Sequence, residues 1–482
     1  MSPPSGGSHS FEARATSLTP TIVTTSQPEP GRSPAISQVQ MIGDELLVAT
    51  ARGADVQGFL NTNGIQFARL TSLLAGLKVP AALKTYDVEV WKLLPGYKPM
   101  TNFLPTLWST TLANDQRAAT PNHILIPAGW QDSCPYGPPE PSKSSTLRHP
   151  EGDHELSVTV IDAGYQWNWQ VPNPLDRMAH ITKKQGQHPK PAEQYQNALV
   201  PTRGDLGDLR ETPFQADWID DHNDVPDANH DKRLDALAGH GNFVIGVLAQ
   251  YFNFPDVRLF NHFGGFYPDP DEYIRELSVC RSLIRSFTLH PKDPSPLINL
   301  GFSFVPLKQP GKDHVLSQAW DTVFRVLGKD PDKLLMLTPA GNQGSNVWHY
   351  PAALNTLYPG QYPNVWGVAS HDPGKQTPSL NDKGKFWSNY GEWVKCSAIG
   401  SDVRSTFLHV KSPTEDDADK RHPVHDFTQN NLAIWSGTCF AAPKITGMLA
   451  AQYAVTNSLN QAWQNLVSGH TQNTNMGVVF QV

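Results

Sequence analysis

Beyond residue 152 short apolar runs alternate with helix-length segments, and this alternation constrains the fold more than any other feature of the chain. SVTVID (157–162), PDVRLFNHF (255–263), PLINLGF (296–302), KLLMLTPAG (333–341) and VWGVAS (365–370) are the strand candidates. Strands that alternate with helices are what a wound, mostly parallel sheet requires, because each parallel connection has to cross back over a face. No internal repeat interrupts the pattern.

The first 150 residues read differently. Residues 1–38 are rich in Ser, Thr, Pro and Gly without apolar periodicity, which predicts a disordered tail. From residue 39 to 128 the order is strand (44–51), helix (55–61), strand (65–70), strand (85–94), helix (99–111) and strand (122–128), the order of a small ferredoxin-like α+β module. Residues 129–152, including CPYGPPEPSKSS, form a Pro/Gly/Ser-rich connector and set the boundary of a second domain over residues 153–482.

Charge narrows the partners. The chain carries 45 acidic and 38 basic residues, a formal charge of −7, and so lacks the basic excess that nucleic acid or an anionic membrane would select. No run approaches the roughly 20 apolar residues of a membrane helix. The opening MSPPSGGSHSFEARATSLTPT has no apolar core of the signal-peptide kind, and Cys134, Cys280, Cys396 and Cys439 are scattered without a CxxC pair. A cytoplasmic location with reduced thiols is the expectation.

Three segments place a reactive residue at the end of an apolar strand or the start of a helix. Asp162 ends the strand of VTVIDAG, His240 heads the apolar helical run of AGHGNFVIGVLA, and Cys439 precedes a helix of small and apolar residues in WSGTCFAAPKITGMLAAQ. A thiol at a helix N-terminus gains from the positive end of the dipole. Taken singly, the three read as a turn Asp, a satisfied His and a small buried hydrophobe. Taken together they supply what acyl transfer needs: a nucleophile, a base to move its proton, and a carboxylate to orient the base.

These segments resemble the motifs of the subtilisin-like serine peptidases (subtilases). VIDAG, GHGNFVIG and SGTCFAAPKITG match the family's Asp, His and nucleophile motifs, in the family's chain order. TPAGNQG (338–344) resembles its oxyanion-hole motif, with Asn342 as the side-chain donor, and YPNVWGVAS and FWSNYGEWVKCSAIG resemble the strand and loop that follow. LINLGFSF (297–304) resembles the strand lining the substrate groove. The resemblance covers residues 153–482. It implies a three-layer α/β/α fold with a mostly parallel sheet and an endopeptidase activity on polypeptides, with no cofactor required. Substrate would lie beside Leu300, Gly301 and Phe302. The primary pocket would be walled by Gly301–Ser303 and by Ala340, Gly341 and the residues up to Gly344. The resemblance also gives residues 39–128 the role of an inhibitory and chaperone prodomain, whose tail occupies the groove of a zymogen. A regulatory protein partner would serve to release it.

The chain departs from the family's pattern in several places. Asn242-Phe243 replaces a Thr-His pair, and Lys444 replaces a His; both substitutions are expected to alter packing alone. Phe302 and Phe304 are bulkier than the family's small residues, which leaves the depth of the pocket open. The separation of 78 positions from Asp162 to His240 implies an insertion, part of which (217–235) is strongly acidic. Carboxylates there could hold calcium, but the spacing matches no cation loop and favours a solvated one. Cys134, Cys280 and Cys396 have no reactive company and read as structural.

Above all, Cys439 stands where the family has its serine. Sulfur is larger than oxygen and is the better leaving group, so amide hydrolysis should suffer more than ester hydrolysis. An engineered Ser→Cys change, a natural thiol variant, and an inactive pseudo-peptidase that binds peptides in its groove all fit the sequence. The intact remainder of the motif set favours the first.

Overall fold

The computed structural model describes residues 21–24, 38–94, 100–113, 115–127, 139–144, 147–148, 150, 156–163, 238–252, 256–261, 274–289, 294–306, 316–371, 387–408, 410–412 and 425–482. The acidic segment 217–235, Cys134 and most of the 129–152 connector lie outside these residues.

The N-terminal part is one antiparallel sheet with helices. Its strands are β1 (Thr21–Thr24), β2 (Gln38–Ala49), β3 (Phe67–Ser72), β4 (Val88–Leu93) and β5 (Ala119–His123). They pair in the order β1-β2-β4-β3, with β5 on β2. Helix α1 (Gly53–Thr62) joins β2 to β3, and α2 (Met100–Thr106) lies between β4 and β5. Pro105 ends α2 early, because its ring removes a helical N–H, and the chain continues in a single wider turn to Thr111. Leu46, Val48, Val56, Leu60, Trp91, Leu104 and Trp108 fill the core of this part.

Past His123 the chain leaves its own sheet. Ile124 bridges Arg275, the Leu125 N–H donates to the Ile274 carbonyl at 2.8 Å, and β6 (Ile126–Pro127) pairs antiparallel with Phe302–Ser303 of the second part. The sequence reads residues 122–128 as one strand; over the described residues 122–127 the structure divides it between β2 and Phe302–Ser303.

The second part is built on eight strands, β8 (Ser157–Asp162), β9 (Asp256–Asn261), β10 (Leu297–Leu300), β12 (Leu335–Pro339), β13 (Val365–His371), β14 (Val394–Ile399), β19 (Thr471–Asn473) and β20 (Gly477–Phe480). Their order is β19-β20-β14-β13-β12-β10-β8-β9, and every neighbouring pair is parallel except β19 with β20. Alternate residues face opposite sides. Val158, Val160, Leu335 and Leu337 meet helices α3 (His240–Ala249), α7 (Thr438–Thr456) and α8 (Leu459–Val467) on one face. Ile161, Ile298 and Met336 meet α4 (Glu276–Leu289), α5 (Gln318–Leu327) and the short α6 (Leu354–Leu357) on the other. The result is a three-layer α/β/α arrangement.

Smaller pairings complete it: β11 (Phe302–Ser303) with β6, β7 (Glu140–Pro141) and β15 (Val403–Thr406) on either side of β18 (Leu432–Trp435), and β16 (Lys411–Ser412) with β17 (His425–Asp426). No helix among the described residues is long and apolar enough to cross a membrane.

The two parts meet across α4 and α5. Glu276 and His123 are both buried, and the His123 Nδ1–H donates to Glu276 Oε2 at 2.6 Å. The second Glu276 oxygen accepts from Trp320 Nε1 at 2.9 Å. Arg281 donates to the carbonyls of Leu73 and Ala75, and Arg117 pairs with Asp321 at 3.1 Å while donating to the Leu316 carbonyl. Each ion is met by several partners, which is what makes burying charge at an interface tolerable.

Candidate active site

Parallel strands deliver their carboxyl ends to one edge of a sheet, and ligands of such sheets bind there. Asp162 is the last residue of β8, Gly301 follows β10, and Asn342 follows β12. Two helices on one face, α3 and α7, begin at that same edge with His240 and Thr438-Cys439.

The His240 Nδ1–H donates to Asp162 Oδ1 at 2.5 Å, and both side chains are buried. Asp162 Oδ1 also accepts from the Ala163 N–H at 2.7 Å. The ring is fixed from the side by Phe440, 5.3 Å between centroids, and by the edge-on Trp435 at 5.7 Å. Burial works against the imidazolium, but the charge of Asp162 and of ionised Cys439, with hydrogen bonding to both, holds His240 well above its usual value. Nε2 is buried without a well-aligned partner.

Asp162 depends on the absence of a side chain at Gly301. A Cβ on Gly301 would lie 1.9 Å from Asp162 Oδ2. The Gly301 N–H donates to the Ile161 carbonyl at 2.9 Å, so the backbone cannot withdraw. Leu300 lies in an interior strand, bonded toward β8, with its side chain in the core; the neighbouring Phe302 and Ser303 pair with Pro127 and Ile126.

Asn342 is held by one end of its amide. Its Oδ1 accepts from the Thr438 N–H and from Thr438 Oγ1, each at 2.9 Å, while its Nδ2 is buried with no acceptor among the described residues. Thr438 Oγ1 also accepts from the Gly341 N–H at 3.1 Å. Thr438 thus clamps the loop after β12 to the head of α7. Asn389 secures the same loop from the other side. Its Nδ2 donates to the Ala340 carbonyl at 2.8 Å, its Oδ1 accepts from the Gln343 and Ser345 N–H groups, and its own N–H donates to the Gly341 carbonyl. Sequence reading assigned no role to Thr438 or Asn389, although Asn389 lies inside the quoted FWSNYGEW segment.

The departures from the motif pattern are accommodated by packing. Phe243 packs at a tilt against Phe440, 4.4 Å between centroids, and the Asn242 carbonyl accepts from Thr406 Oγ1. Lys444 donates to the Val482 carbonyl at 3.1 Å, and burial lowers its pKa to about 8. Burial pushes the Cys396 thiol up to about 12 and the Cys280 thiol well above its usual value, so neither is a nucleophile at neutral pH. Among the described residues no group of three or more His, Cys, Asp or Glu could hold a metal ion.

Residues 301–477 match the family model of the subtilase family. That segment includes Asn342 and Cys439 and begins beyond Asp162 and His240. Among solved structures, fervidolysin from Fervidobacterium pennivorans, described as a keratinolytic enzyme related to subtilisin, is similar at 14% identity and a TM-score of 0.49; the alignment covers 94% of this chain and 61% of that one. The epidermin leader peptide processing serine protease from Staphylococcus aureus is similar at 14% identity and a TM-score of 0.44, over 89% of this chain and 92% of that one. A lanthipeptide protease is similar at 18% identity and a TM-score of 0.38, over 66% and 82%. No curated protein matches the sequence.

Proposed function

We propose that this chain is a subtilase-type peptidase in which Cys439 attacks the carbonyl carbon of a peptide or ester bond. The observation that carries the reading is the buried Asp162–His240 pair aimed at the N-terminal end of α7, where Cys439 lies. In this reading the Cys439 thiol gives its proton to His240 and the thiolate adds to the carbonyl. The resulting oxyanion is met by the Asn342 amide and by the N–H of Cys439. Imidazolium then protonates the leaving amine or alcohol as the C–N or C–O bond breaks, and water repeats the cycle to release the acyl group. A buried Nδ2 with no acceptor supports the role of Asn342, since such a group otherwise costs stability. The raised pKa of His240 favours the thiolate–imidazolium pair that a sulfur nucleophile needs.

Residues 39–128 act as a ferredoxin-like inhibitory module, and the pairing of Ile126–Pro127 with Phe302–Ser303 supports a tail that occupies the substrate strand position. A regulatory protein or a cut that frees this tail belongs to the same reading, as does a cytoplasmic setting. Incubating a Cys439→Ser version with casein should give cleavage that His240→Ala abolishes. No cleavage in trans or within the chain would refute the proposal.

A second reading, a peptide-binding protein without chemistry, draws on Cys439 itself and on the occupied groove. It requires that thiol-reactive peptide probes leave Cys439 unmodified and that peptide affinity survive His240→Ala unchanged.

A further inference from the structure

Strand alternation settles where the two bulky residues of the groove strand go. Phe302 and Phe304 face the same way and are buried in the α4–α5 core, with Phe304 against His123 at 5.1 Å, Tyr350 at 6.1 Å and Trp320 at 6.4 Å between centroids. Neither turns to the opposite face of β11, which belongs to Ser303.

On that face stands His349. Its Nδ1 lies 3.4 Å from Ser303 Oγ, and a Cβ placed on Gly341 would lie 3.0 Å from the same nitrogen. Ser303 and Gly341 belong to the two walls that the family resemblance implies for the primary pocket, and Gly341 immediately precedes Asn342. The imidazole therefore spans the space between the walls. Gln343 and Asn389 crowd Gly341 from the same side, at 2.7 and 2.3 Å from that Cβ position. Ser303, Ala340 and His349 are all buried, and the imidazole and the Ser303 hydroxyl stand where a longer apolar side chain would have to enter.

We infer that His349 is the floor of the primary pocket and a specificity-determining residue, restricting the residue before the cleaved bond to glycine or alanine. The inference rests on the peptidase reading for the location of the pocket. Filling or emptying a pocket by a few carbon atoms changes substrate preference by about 10- to 200-fold.

The test uses the full chain and tripeptide chloromethyl ketones that differ only in their last residue (Gly, Ala, Leu or Phe). The thiolate displaces chloride from the probe, so labelling of Cys439 reads the pocket without requiring peptide-bond cleavage; Cys439→Ser confirms the labelled position by intact mass. The Ala probe should label at least about tenfold faster than the Phe probe, and His349→Gly should bring the two to within about threefold. His349→Asn, which keeps a polar side chain of smaller size, should fall between, and if neither variant folds the ratio in the parent chain decides. Leu or Phe probes that label the parent as fast as Ala, an unchanged ratio in a folded His349 variant, or no labelling of the folded parent by any probe each overturn the inference. Labelling in the expected order, with no casein cleavage by the parent or by Cys439→Ser, would instead count against the peptidase reading alone.

Discussion

Gly301 and Asp162 are in contact so close that a single methyl group cannot come between them: the carboxylate Oδ2 lies 1.9 Å from where a Gly301 Cβ would be. The glycine links β10 to β11 and at the same time sets how far Asp162 can lean away from His240. Gly301→Ala should therefore displace the carboxylate. Overpacking of this kind costs about 1–3 kcal/mol of stability, and a shift of about 1 Å in a catalytic group costs about 10²-fold in rate. Thermal unfolding and ester hydrolysis by the same preparation measure both; wild-type turnover with wild-type stability would contradict the coupling.

Asn342 and Thr438 can be separated by mutation. Asn342→Ala removes the donor amide and should lower kcat by about 10²–10³-fold with little change in KM. Thr438→Val leaves the amide in place and removes the hydroxyl that bonds Asn342 Oδ1 and the Gly341 N–H, so a smaller loss, about tenfold, is expected. Steady-state kinetics on an ester substrate checks the order of the two losses. A larger loss for Thr438→Val would mean that the loop, rather than the amide, is the sensitive part.

The pKa of His240 should fall when either neighbouring charge is removed. Asp162→Asn should lower it more than Cys439→Ser, because the carboxylate is the stronger of the two raising influences. Titration of the imidazole by NMR reads this directly. The sign for stability follows from the raised value. The charged form of His240 stabilises the folded chain fully below the unfolded pKa of 6.5, and that contribution is lost as pH rises through the higher folded value. In Asp162→Asn the loss should be smaller and complete at lower pH, visible as a shift in the pH dependence of chemical denaturation.

At the junction of the two sheets, Glu276→Ala would leave His123 Nδ1 and Trp320 Nε1 without their shared acceptor. Breaking a buried pair in this way typically costs about 3–5 kcal/mol. The expected result is faster hydrogen exchange at the amides of Leu125 and Ile126, relative to amides within β12. Unchanged protection there would show that the tail strand is held independently of this contact.

Much of the site was legible because its residues sit at boundaries that leave marks in sequence. Asp162 closes an apolar run, His240 and Cys439 open helices, and Asn342 follows a strand within a glycine-bearing loop. The residues that hold these groups in place leave no such mark. Asn389 acts on Gln343 across 46 positions, and His123 meets Glu276 across 153. Such partners are set by the order of strands in the sheet, which local patterning does not encode. Phe304 shows the opposite difficulty. Its place in a groove motif leaves the depth of the pocket open, whereas alternation continued past β11 turns its ring into the core and leaves the pocket to Ser303 and to His349, a residue that carries no signal of its own.

The strand formed by Ile126 and Pro127 also has a meaning for competition. It is attached to the chain whose Phe302 and Ser303 it pairs with, so dilution never separates the two. Held beside its partner by the Ile124 and Leu125 contacts to Arg275 and Ile274, the segment behaves as though present at an effective concentration on the order of millimolar. A free peptide of equal intrinsic affinity would have to reach that level merely to share the position. Mutations that loosen the tether tenfold would therefore lower by the same factor the concentration at which a free ligand takes the position.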